Sequence, residues 1–312
     1  MPHEPTPRSR FCPTGPSVEA VPSTFHIVDV FATERYTGNP LAVVEDPRTV
    51  SDERMQSLAA EFDFSETTFV SLSRDPYPTR IFTPRAEIPF AGHPTLGTAW
   101  VVRERADAAV DEDDRDEVVL DLPVGEIRVT VRSTDGTETL WMRQHQPTFG
   151  ERRSRARAAE VLGLPGDALD PDLPVQVVST GLPTVVVPLR DRSDLTAIDL
   201  DRAAYDAFVA GHDAKNVLAF CFDPRESRND LAVRVFAPYY DVPEDPATGS
   251  SNGCLAGYLV RHAVDGAVTA RVEQGYEMRR PSLLHLEAHE DGDGIAVDVG
   301  GRVVPVAEGT LR

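Results

Sequence analysis

Hydrophobic residues recur along the chain in short runs that are separated by Gly, Pro and Asp residues. Many of these runs are continuous or alternate with polar residues, a pattern that predicts β-strands with at least one face on a core. The clearest runs, in chain order from Phe25 to Phe236, are FHIVDVF, LAVV, TTFVSL, RIF, EVVLDL, EIRVTV, VQVV, TVVVPL, NVLAFCF and LAVRVF.

Helical spacing of apolar residues is less frequent. The segment SDERMQSLAAEF begins with Ser51, a favoured helix N-cap, and its apolar residues are three or four positions apart. Similar patterns predict helices over residues 94–105, 154–162, 202–209 and 250–262. Many strands and few helices, without strict alternation of the two, indicate an α+β fold rather than a doubly wound parallel sheet.

The length of 312 residues fits about two domains. Residues 1–23 are rich in Pro, Ser and Thr and lack the apolar stretch of a signal peptide, so we expect a disordered leader. The three cysteines, Cys12, Cys221 and Cys254, are widely spaced and predict neither a disulfide framework nor a zinc site. A cytoplasmic location is therefore expected.

The chain is strongly acidic, with 51 Asp and Glu residues against 31 Lys and Arg residues and a net charge of -20. An acidic run extends from Asp111 to Asp116 and would repel nucleic acid and anionic lipid, so neither is expected as a partner. No apolar stretch approaches the ~20 residues that cross a bilayer. The sequence also lacks the GxGxxG and GxxxxGK[ST] nucleotide motifs and the SxxK nucleophile motif.

Two segments that begin half a chain apart share one pattern. Arg80 opens RIFTPRAEIPFAGHPTLGTAWVV, and Arg234 opens RVFAPYYDVPEDPATGSSNGCLAGYLV. Both give Arg, an aliphatic residue, Phe, a small residue, Pro, two variable residues, an acid, an aliphatic residue and Pro, followed by a turn and an apolar helix. We interpret them as the central parts of two halves with a common plan. The alternative is that two unrelated strand-to-helix turns share the same residue types.

Both turns contain glycine at the start of a predicted helix. The N-terminus of a helix has unpaired N–H groups and a partial positive charge, so it favours anions. If the halves face each other, Gly92 and Thr95 on one side and Thr248, Gly249 and Ser250 on the other would hold a carboxylate in one cleft. The alternative is that Thr95 and Ser250 are ordinary helix caps.

Three titratable residues are candidates for chemistry. Glu66 lies in FSETTFV between Phe64 and Phe69, and apolar neighbours would raise its pKa into the range useful for general acid–base catalysis. His93 lies inside the first turn, and Asp245 occupies the corresponding place in the second. The alternatives are a solvated glutamate, a structural histidine, and an aspartate that forms an Asx turn or N-cap.

Several segments together resemble the phenazine biosynthesis PhzF-like family. They are VDVFATERYTGNPLAVV, FSETTFV, RIFTPRAEIPFAGHPTLGTAW, STGLPTVVVPL, EDPATGSSNGCLAGYL and EQGYEMRRPS. The resemblance implies a fold like that of diaminopimelate epimerase, with two pseudo-symmetric halves, each a curved, mostly antiparallel, barrel-like sheet around a central helix. We expect the first half to comprise residues 24–133 and 294–312 and the second residues 134–293. A homodimer is also implied.

The resemblance further implies a cofactor-independent isomerase that uses neither a metal nor an organic cofactor. In its best-known member the reaction isomerises trans-2,3-dihydro-3-hydroxyanthranilate, so we expect a small, carboxylate-bearing cyclic acid or amino acid as the substrate. The proton carrier of the family falls on Glu66. The residues that orient the substrate fall on His93, Asp245 and Ser250, and the anion-binding turns on Gly92, Thr248 and Gly249.

Two other functions stay open. An amino-acid racemase of the same fold uses two cysteine bases, but Ala91 and Ala247 occupy the neighbourhood of those thiols. A non-catalytic binding protein is the second alternative. The sequence departs from the family at Arg279, where glycine is usual, and a long cation there would narrow the pocket or favour a more acidic substrate.

Overall fold

The computed structural model describes residues 23–47, 50–105, 116–134, 136–292 and 294–311. Apart from Ser23, the predicted leader lies outside these residues, as do Cys12 and all of the acidic run except Asp116. Within the described ranges, no helix is long and apolar enough to cross a membrane.

Strands make up most of the regular structure in these ranges. They are β1 (Ser23–Val30), β2 (Asn39–Glu45), β3 (Thr67–Val70), β4 (Tyr77–Phe82), β5 (Glu87–Ile88), β6 (Glu117–Leu122), β7 (Gly125–Thr134), β8 (Thr137–Arg143), β9 (Thr148–Arg152), β10 (Gln176–Ser179), β11 (Pro183–Pro188), β12 (Asn216–Cys221), β13 (Leu231–Ala237), β14 (Val242–Asp245), β15 (Ala267–Gln274), β16 (Ser282–Asp291), β17 (Gly294–Gly301) and β18 (Val303–Leu311).

The described helices are few and mostly short. They are α1 (Asp52–Phe62), α2 (Gly92–Arg105), α3 (Arg155–Leu162), α4 (Arg192–Ala197), α5 (Arg202–Val209) and α6 (Gly249–His262). Single 3-10 turns lie at Gly166–Ala168 and Pro238–Tyr240.

The strands join into one large, curved sheet whose pairs are mostly antiparallel. The parallel pairs are β2–β3, β4–β6, β11–β12 and β13–β15. The last strand, β18, pairs with β1 and so brings the end of the chain beside its first described strand. The strand before it, β17, pairs with both β8 and β16. It therefore links the group of strands around helix α2 to the group around helix α6.

Each group of strands packs around one long helix. Helix α2 contacts β1, β2, β3, β6, β7, β8 and β18, whereas α6 contacts β10, β11, β15, β16 and β17. Both helices are buried around most of their circumference rather than along one stripe, which is typical of a helix inside a core. Helices α3, α4 and α5 form a separate apolar layer with β11, β12 and β13.

The hydrophobic pattern predicted these elements well. Every predicted run overlaps a strand, although several further strands, such as β8, β9, β17 and β18, were not among the predicted runs. Helix α1 begins where expected, with the Ser51 side chain accepting a hydrogen bond from the Arg54 backbone nitrogen. Helix α4 was missed because it is only six residues long and begins at an Asp191 cap, without a repeating apolar pattern. The fold is a mixture of helix and sheet, as predicted.

The two segments of the internal pattern adopt related structures. In each, two antiparallel strands (β4–β5 and β13–β14) lead into a central helix. Arg80 binds Glu87 and Arg234 binds Glu244 through paired N–H···O bonds of 2.7 and 2.8 Å, respectively. The acid of the shared pattern differs, since Asp241 pairs with Arg85 instead. The symmetry of the halves and their boundaries stay predictions.

Candidate active site

The first residues of α2 and α6 lie against each other. A Cβ atom placed on Gly92 would be 3.4 Å from the Ser250 backbone nitrogen, and one on Gly249 would be 3.9 Å from the Gly92 Cα atom. The structure therefore brings the two predicted turns together, as the shared-cleft interpretation requires. Two helix N-termini that converge place unpaired N–H groups and two partial positive charges at one point, which favours an anion.

Glu66 and His93 face each other at this junction. Glu66 lies just before β3, and His93 is the second residue of α2. The Glu66 Oε2 and His93 Nε2 atoms are 3.4 Å apart, and their side chains expose only 17% and 6% of their surface. Both atoms are buried, and neither has a hydrogen-bond partner in the described structure. Two adjacent polar atoms that lack partners are suited to contact a bound substrate.

Burial, together with the nearby Asp245 carboxylate, raises the pKa of Glu66 to about 8, while a hydrogen bond from Ser65 opposes the shift. The sequence predicted the direction of this shift from the flanking phenylalanines. In the structure Phe69 packs edge-on against Phe82, and Phe64 stacks with Phe62. Glu66 itself is buried at the helix junction, and this burial is the largest cause of its raised pKa.

Burial lowers the pKa of His93 to about 3, so its imidazole is neutral at pH 7. Asn39, the first residue of β2, holds the ring from the other side, with its Nδ2 atom 3.2 Å from His93 Nδ1. The same Nδ2 atom donates to Asp245 Oδ1 at 2.9 Å and to the Ala247 carbonyl oxygen at 3.0 Å. Asn39 thus connects the start of one central helix to the residues that precede the other.

Asp245 ends β14 and lies beside both helix starts. Burial raises its pKa to about 6, and the hydrogen bonds from the Thr248 hydroxyl and the Asn39 amide oppose this shift. The N-cap of α6 is Thr248, whose side chain makes no capping hydrogen bond. Asp245 therefore binds the Thr248 side chain instead of serving as the N-cap of α6.

The turn that carries Thr248 is held by Gln274 and Asn252. Gln274 Nε2 donates to the Asp245 carbonyl oxygen at 2.7 Å and to Thr248 Oγ1 at 3.1 Å. Gln274 Oε1 accepts from the Thr248 backbone nitrogen at 3.2 Å and from Asn252 Nδ2 at 2.8 Å. The sequence reasoning missed Asn39, Asn252 and Gln274. The signal that could have found them is a carboxamide residue beside a Gly- or Pro-containing turn.

Ser250 and Thr95, two further predicted site residues, each make a hydrogen bond within the protein. Ser250 is the second residue of α6, and its carbonyl oxygen accepts from Thr180 Oγ1 at 3.4 Å. Thr95 is fully buried and donates its hydroxyl hydrogen to the Ala91 carbonyl oxygen at 2.7 Å. This bond satisfies Thr95 within its own helix, so only the lone pairs of its hydroxyl remain for a ligand.

The two described cysteines, Cys221 and Cys254, are buried and poor candidates for proton transfer. Cys254 lies inside α6, where its Sγ atom is 3.6 Å from Thr180 Oγ1 and from the Leu182 carbonyl oxygen. Burial raises the pKa of this thiol and raises that of Cys221 to about 11. Both thiols are therefore protonated at neutral pH and are poor bases. In the described ranges, no cluster of three or more His, Cys, Asp or Glu side chains could hold a metal ion.

Arg279 and Arg280 differ in their surroundings. Arg279 is exposed and has a φ of 59°, in the left-handed region that glycine adopts with least strain. This conformation explains why glycine suits the position. Arg280 reaches the other group of strands, donating to the Gly38 carbonyl oxygen at 2.7 Å, the Thr37 carbonyl oxygen at 2.8 Å and the Asp29 carboxylate.

Comparison with known proteins gives a consistent result. Residues 28–309 match the model of the family described as phenazine biosynthesis-like protein, PhzC–PhzF. The chain is 34% identical over 288 residues to the trans-2,3-dihydro-3-hydroxyanthranilate isomerase of Pseudomonas aeruginosa, which covers 91% of this chain and 97% of that protein.

Solved structures show the same fold. The Bacillus anthracis phenazine biosynthesis protein of the PhzF family superposes with a TM-score of 0.84 at 24% identity, covering 94% of this chain and 99% of that one. A probable proline racemase from Agrobacterium radiobacter K84 has a TM-score of 0.58 at 10% identity, with 93% of each chain covered. At these identities the likeness concerns the fold alone.

Proposed function

The chain belongs to the phenazine biosynthesis-like PhzC–PhzF family and is an isomerase, and from this premise we propose that it moves a proton between two carbons of a small cyclic acid, with Glu66 as the proton carrier. The proposed substrate class is a cyclic carboxylic or amino acid such as trans-2,3-dihydro-3-hydroxyanthranilate, on which the Pseudomonas aeruginosa relative acts.

One observation carries this proposal. The Glu66 carboxyl and the neutral His93 imidazole present unpartnered, buried atoms 3.4 Å apart, at the point where the starts of α2 and α6 meet. A carboxyl group whose pKa is near 8 exchanges protons readily at neutral pH, because catalysis is most effective when the pKa is near the working pH. The converging N–H groups are suited to hold the substrate carboxylate beside it.

The proposed reaction has two proton transfers. The Glu66 carboxylate removes a proton from one carbon of the substrate, so that a C–H bond breaks, an O–H bond forms and the electron pair moves into the conjugated system. Glu66 then returns the proton to another carbon as the double bonds shift. The proton and the electrons balance within the substrate and Glu66, and no other reactant is consumed.

The other residues bind and orient the substrate in this proposal. Backbone N–H groups of Gly92, His93, Gly249 and Ser250 would bind the substrate carboxylate, because Pro94 has no N–H and the backbone nitrogens of Thr95 and Thr248 already donate within the protein. His93 and Asp245 would contact an amino or hydroxyl group of the ring, and Ser250 would fix its orientation. Asp245 has a second effect, since its negative charge helps keep the pKa of Glu66 high.

We also propose that the chain consists of two pseudo-symmetric halves and acts as a homodimer in the cytoplasm. The paired arginines support the first part, because Arg80 stacks over Phe82 and Arg234 over Phe236 at 5.1 and 5.0 Å, each beside its glutamate. Light scattering of the purified protein tests the second part. A mass of about twice 34.1 kDa supports a dimer, and a monomer at working concentration contradicts it.

Racemase activity is the second candidate, and the fold likeness to the probable proline racemase is what favours testing it. Ala91 and Ala247 occupy the neighbourhood where two thiols would be needed, and the described thiols have raised pKa values. A racemase of the two-cysteine type is therefore disfavoured.

The experiment is conversion in D₂O of trans-2,3-dihydro-3-hydroxyanthranilate and a panel of cyclic amino and hydroxy acids, including proline and hydroxyproline. The isomerase proposal predicts a rearranged product with solvent deuterium on at least part of one ring carbon. Deuterium at the α-carbon with inversion and no rearrangement would establish a racemase instead. Binding without any conversion or exchange across the panel would indicate a binding protein.

A further inference from the structure

We propose that Asn39 is a positioning residue that sets the tautomer of His93, keeping Nδ1 unprotonated and leaving the hydrogen on Nε2, the ring atom that lies 3.4 Å from the Glu66 carboxyl. The inference deepens the proposed function, because it assigns His93 the role of a hydrogen-bond donor and leaves Glu66 as the base of the pair. The tautomer of His93 depends on which end of the Asn39 carboxamide faces the ring.

The Ala247 carbonyl oxygen determines the orientation of the Asn39 carboxamide. It lies 3.0 Å from the Asn39 atom that also faces His93 and Asp245, and a backbone carbonyl can only accept a hydrogen bond. The Asn39 atom must therefore be the amide nitrogen rather than the oxygen. At its other end, Asn39 Oδ1 accepts from the Ser65 hydroxyl at 3.4 Å, which agrees with the same orientation.

The orientation of Asn39 determines where the His93 proton lies. An amide nitrogen donates and does not accept, so a hydrogen on the His93 Nδ1 atom 3.2 Å away would face another donor; Nδ1 therefore carries no hydrogen. His93 is neutral because it is buried without a compensating charge, and a neutral imidazole has one N–H group. Its proton therefore resides on Nε2, the atom that lies 3.4 Å from Glu66 Oε2.

Asn39 is itself held rigidly. The residue is buried to 99%, and the turn before it is tied to the segment after β15. Arg280 donates to the carbonyl oxygens of Thr37 and Gly38, and the Gly38 backbone nitrogen donates to the Pro281 carbonyl oxygen at 3.0 Å. A carboxamide that cannot rotate is able to impose one tautomer on its neighbour.

The tautomer of His93 determines which of the two facing groups, Glu66 or His93, can act as a base. With Nδ1 bonded to Asn39 and hydrogen on Nε2, His93 has no lone pair that faces the site. It can stabilise the Glu66 carboxylate or a substrate oxygen or nitrogen by donation, but it cannot remove a proton from a substrate carbon. The amide nitrogen has two hydrogens for three acceptors, so it also links the hydrogen bonding of His93 to that of Asp245.

The test is the ¹⁵N spectrum of the histidine side chains in the full chain at neutral pH, with the His93 signals assigned by their loss in His93→Gln. The proposal predicts an unprotonated Nδ1 and a protonated Nε2 in the wild type. A wild-type His93 with its proton on Nδ1, or with protons on both nitrogens, would overturn it. This measurement needs no substrate, so it is independent of whether the isomerase proposal holds.

A variant tests the cause. Asn39→Asp keeps the shape but replaces the donating amide by a carboxyl oxygen that accepts, so the His93 Nδ1 atom should become protonated. The matched control is Asn216→Asp, which changes a buried asparagine of β12 whose amide contacts Ser251 Oγ at 3.3 Å. In that control Nδ1 should stay unprotonated. An unprotonated Nδ1 in folded Asn39→Asp would overturn the proposal, and if this variant does not fold, the wild-type spectrum decides alone.

Discussion

A Cβ atom on Gly92 would lie 3.4 Å from the Ser250 backbone nitrogen, at van der Waals contact, so the two central helices begin side by side. This proximity makes the space between them the place where a substrate carboxylate reaches both sets of N–H groups. A methyl group on Gly92 would occupy that space without disturbing the helix.

Gly92→Ala should therefore weaken the binding of trans-2,3-dihydro-3-hydroxyanthranilate at least about tenfold, or about 1.4 kcal/mol. The free energy of unfolding should change by no more than about 1 kcal/mol, because alanine favours a helix over glycine by about that amount. Calorimetric titration and chemical denaturation measure the two effects. The control is Gly166→Ala, at a position with open space around it, which should leave affinity unchanged. Equal affinity of both variants would contradict the shared anion site.

The paired arginines of the internal pattern should differ in their effect on stability. Arg234 exposes 9% of its side chain and also donates to the Leu195 and Ile198 carbonyl oxygens, both at 3.1 Å. Arg234→Ala leaves a buried carboxylate and two carbonyls unpaired and should cost about 3–5 kcal/mol. Arg80 is 32% exposed, so Arg80→Ala should cost about 1 kcal/mol or less for its ion pairs. Urea denaturation measures the free energy of unfolding of both variants. Similar losses of stability would show that burial does not determine the cost of removing these arginines.

The described cysteines should not take part in turnover. Changing Cys221 and Cys254 together to Ser should keep kcat within about threefold of wild type if the protein folds, because a raised thiol pKa leaves few thiolates to act as bases. Circular dichroism establishes folding, and turnover is measured in parallel. A folded double variant that is inactive would restore the two-thiol racemase mechanism as a candidate.

The raised pKa of Glu66 predicts the pH dependence of stability. In the unfolded chain the carboxyl loses its proton near the ordinary value of 4.5, whereas in the folded protein it keeps the proton up to about pH 8. The contribution of Glu66 to stability is therefore complete below pH 4.5 and decreases as the pH rises towards 8. Glu66→Gln cannot ionise, so the variant should gain at least about 2 kcal/mol over wild type between pH 5 and pH 9. A difference that is constant with pH, measured by denaturation, would refute the raised pKa.

Local sequence was sufficient for many of the strands and for the helix starts at the site. Alternating apolar residues and Gly- or Pro-containing turns act over a few residues, so the strands and the beginnings of α2 and α6 were predictable. Even there, Thr95 was expected to bind substrate, yet its hydroxyl hydrogen is donated to the Ala91 carbonyl oxygen. The sequence shows that a hydroxyl is present but not which acceptor it meets.

The hydrogen bonds across the site could not be predicted from local sequence patterns. Asn39 and Asp245 are 206 residues apart, and only the folded sheet places the Asn39 amide 2.9 Å from the Asp245 carboxylate. The burial of Glu66 likewise depends on the folded structure. Its two neighbouring phenylalanines suggested a raised pKa, but part of the shift comes from Asp245, which is distant in the sequence.

The central claim is that Glu66 carries the proton, and Glu66→Gln tests it most directly. Glutamine keeps the size and hydrogen-bonding reach of glutamate but cannot exchange a proton at neutral pH. General acid–base catalysis by one group contributes about 10²–10⁴-fold, and Glu66 acts in both transfers, so turnover should fall by about 10⁴-fold or more. The control is Glu61→Gln, which changes an exposed glutamate of α1 and should leave turnover intact.

The measurement is turnover of trans-2,3-dihydro-3-hydroxyanthranilate in D₂O, with substrate affinity measured in parallel. Wild type and Glu61→Gln should both place solvent deuterium, at least in part, on the product carbon. Glu66→Gln should bind the substrate with nearly the wild-type affinity and form almost no product. A Glu66→Gln protein that binds and turns over at close to the wild-type rate would show that another group carries the proton.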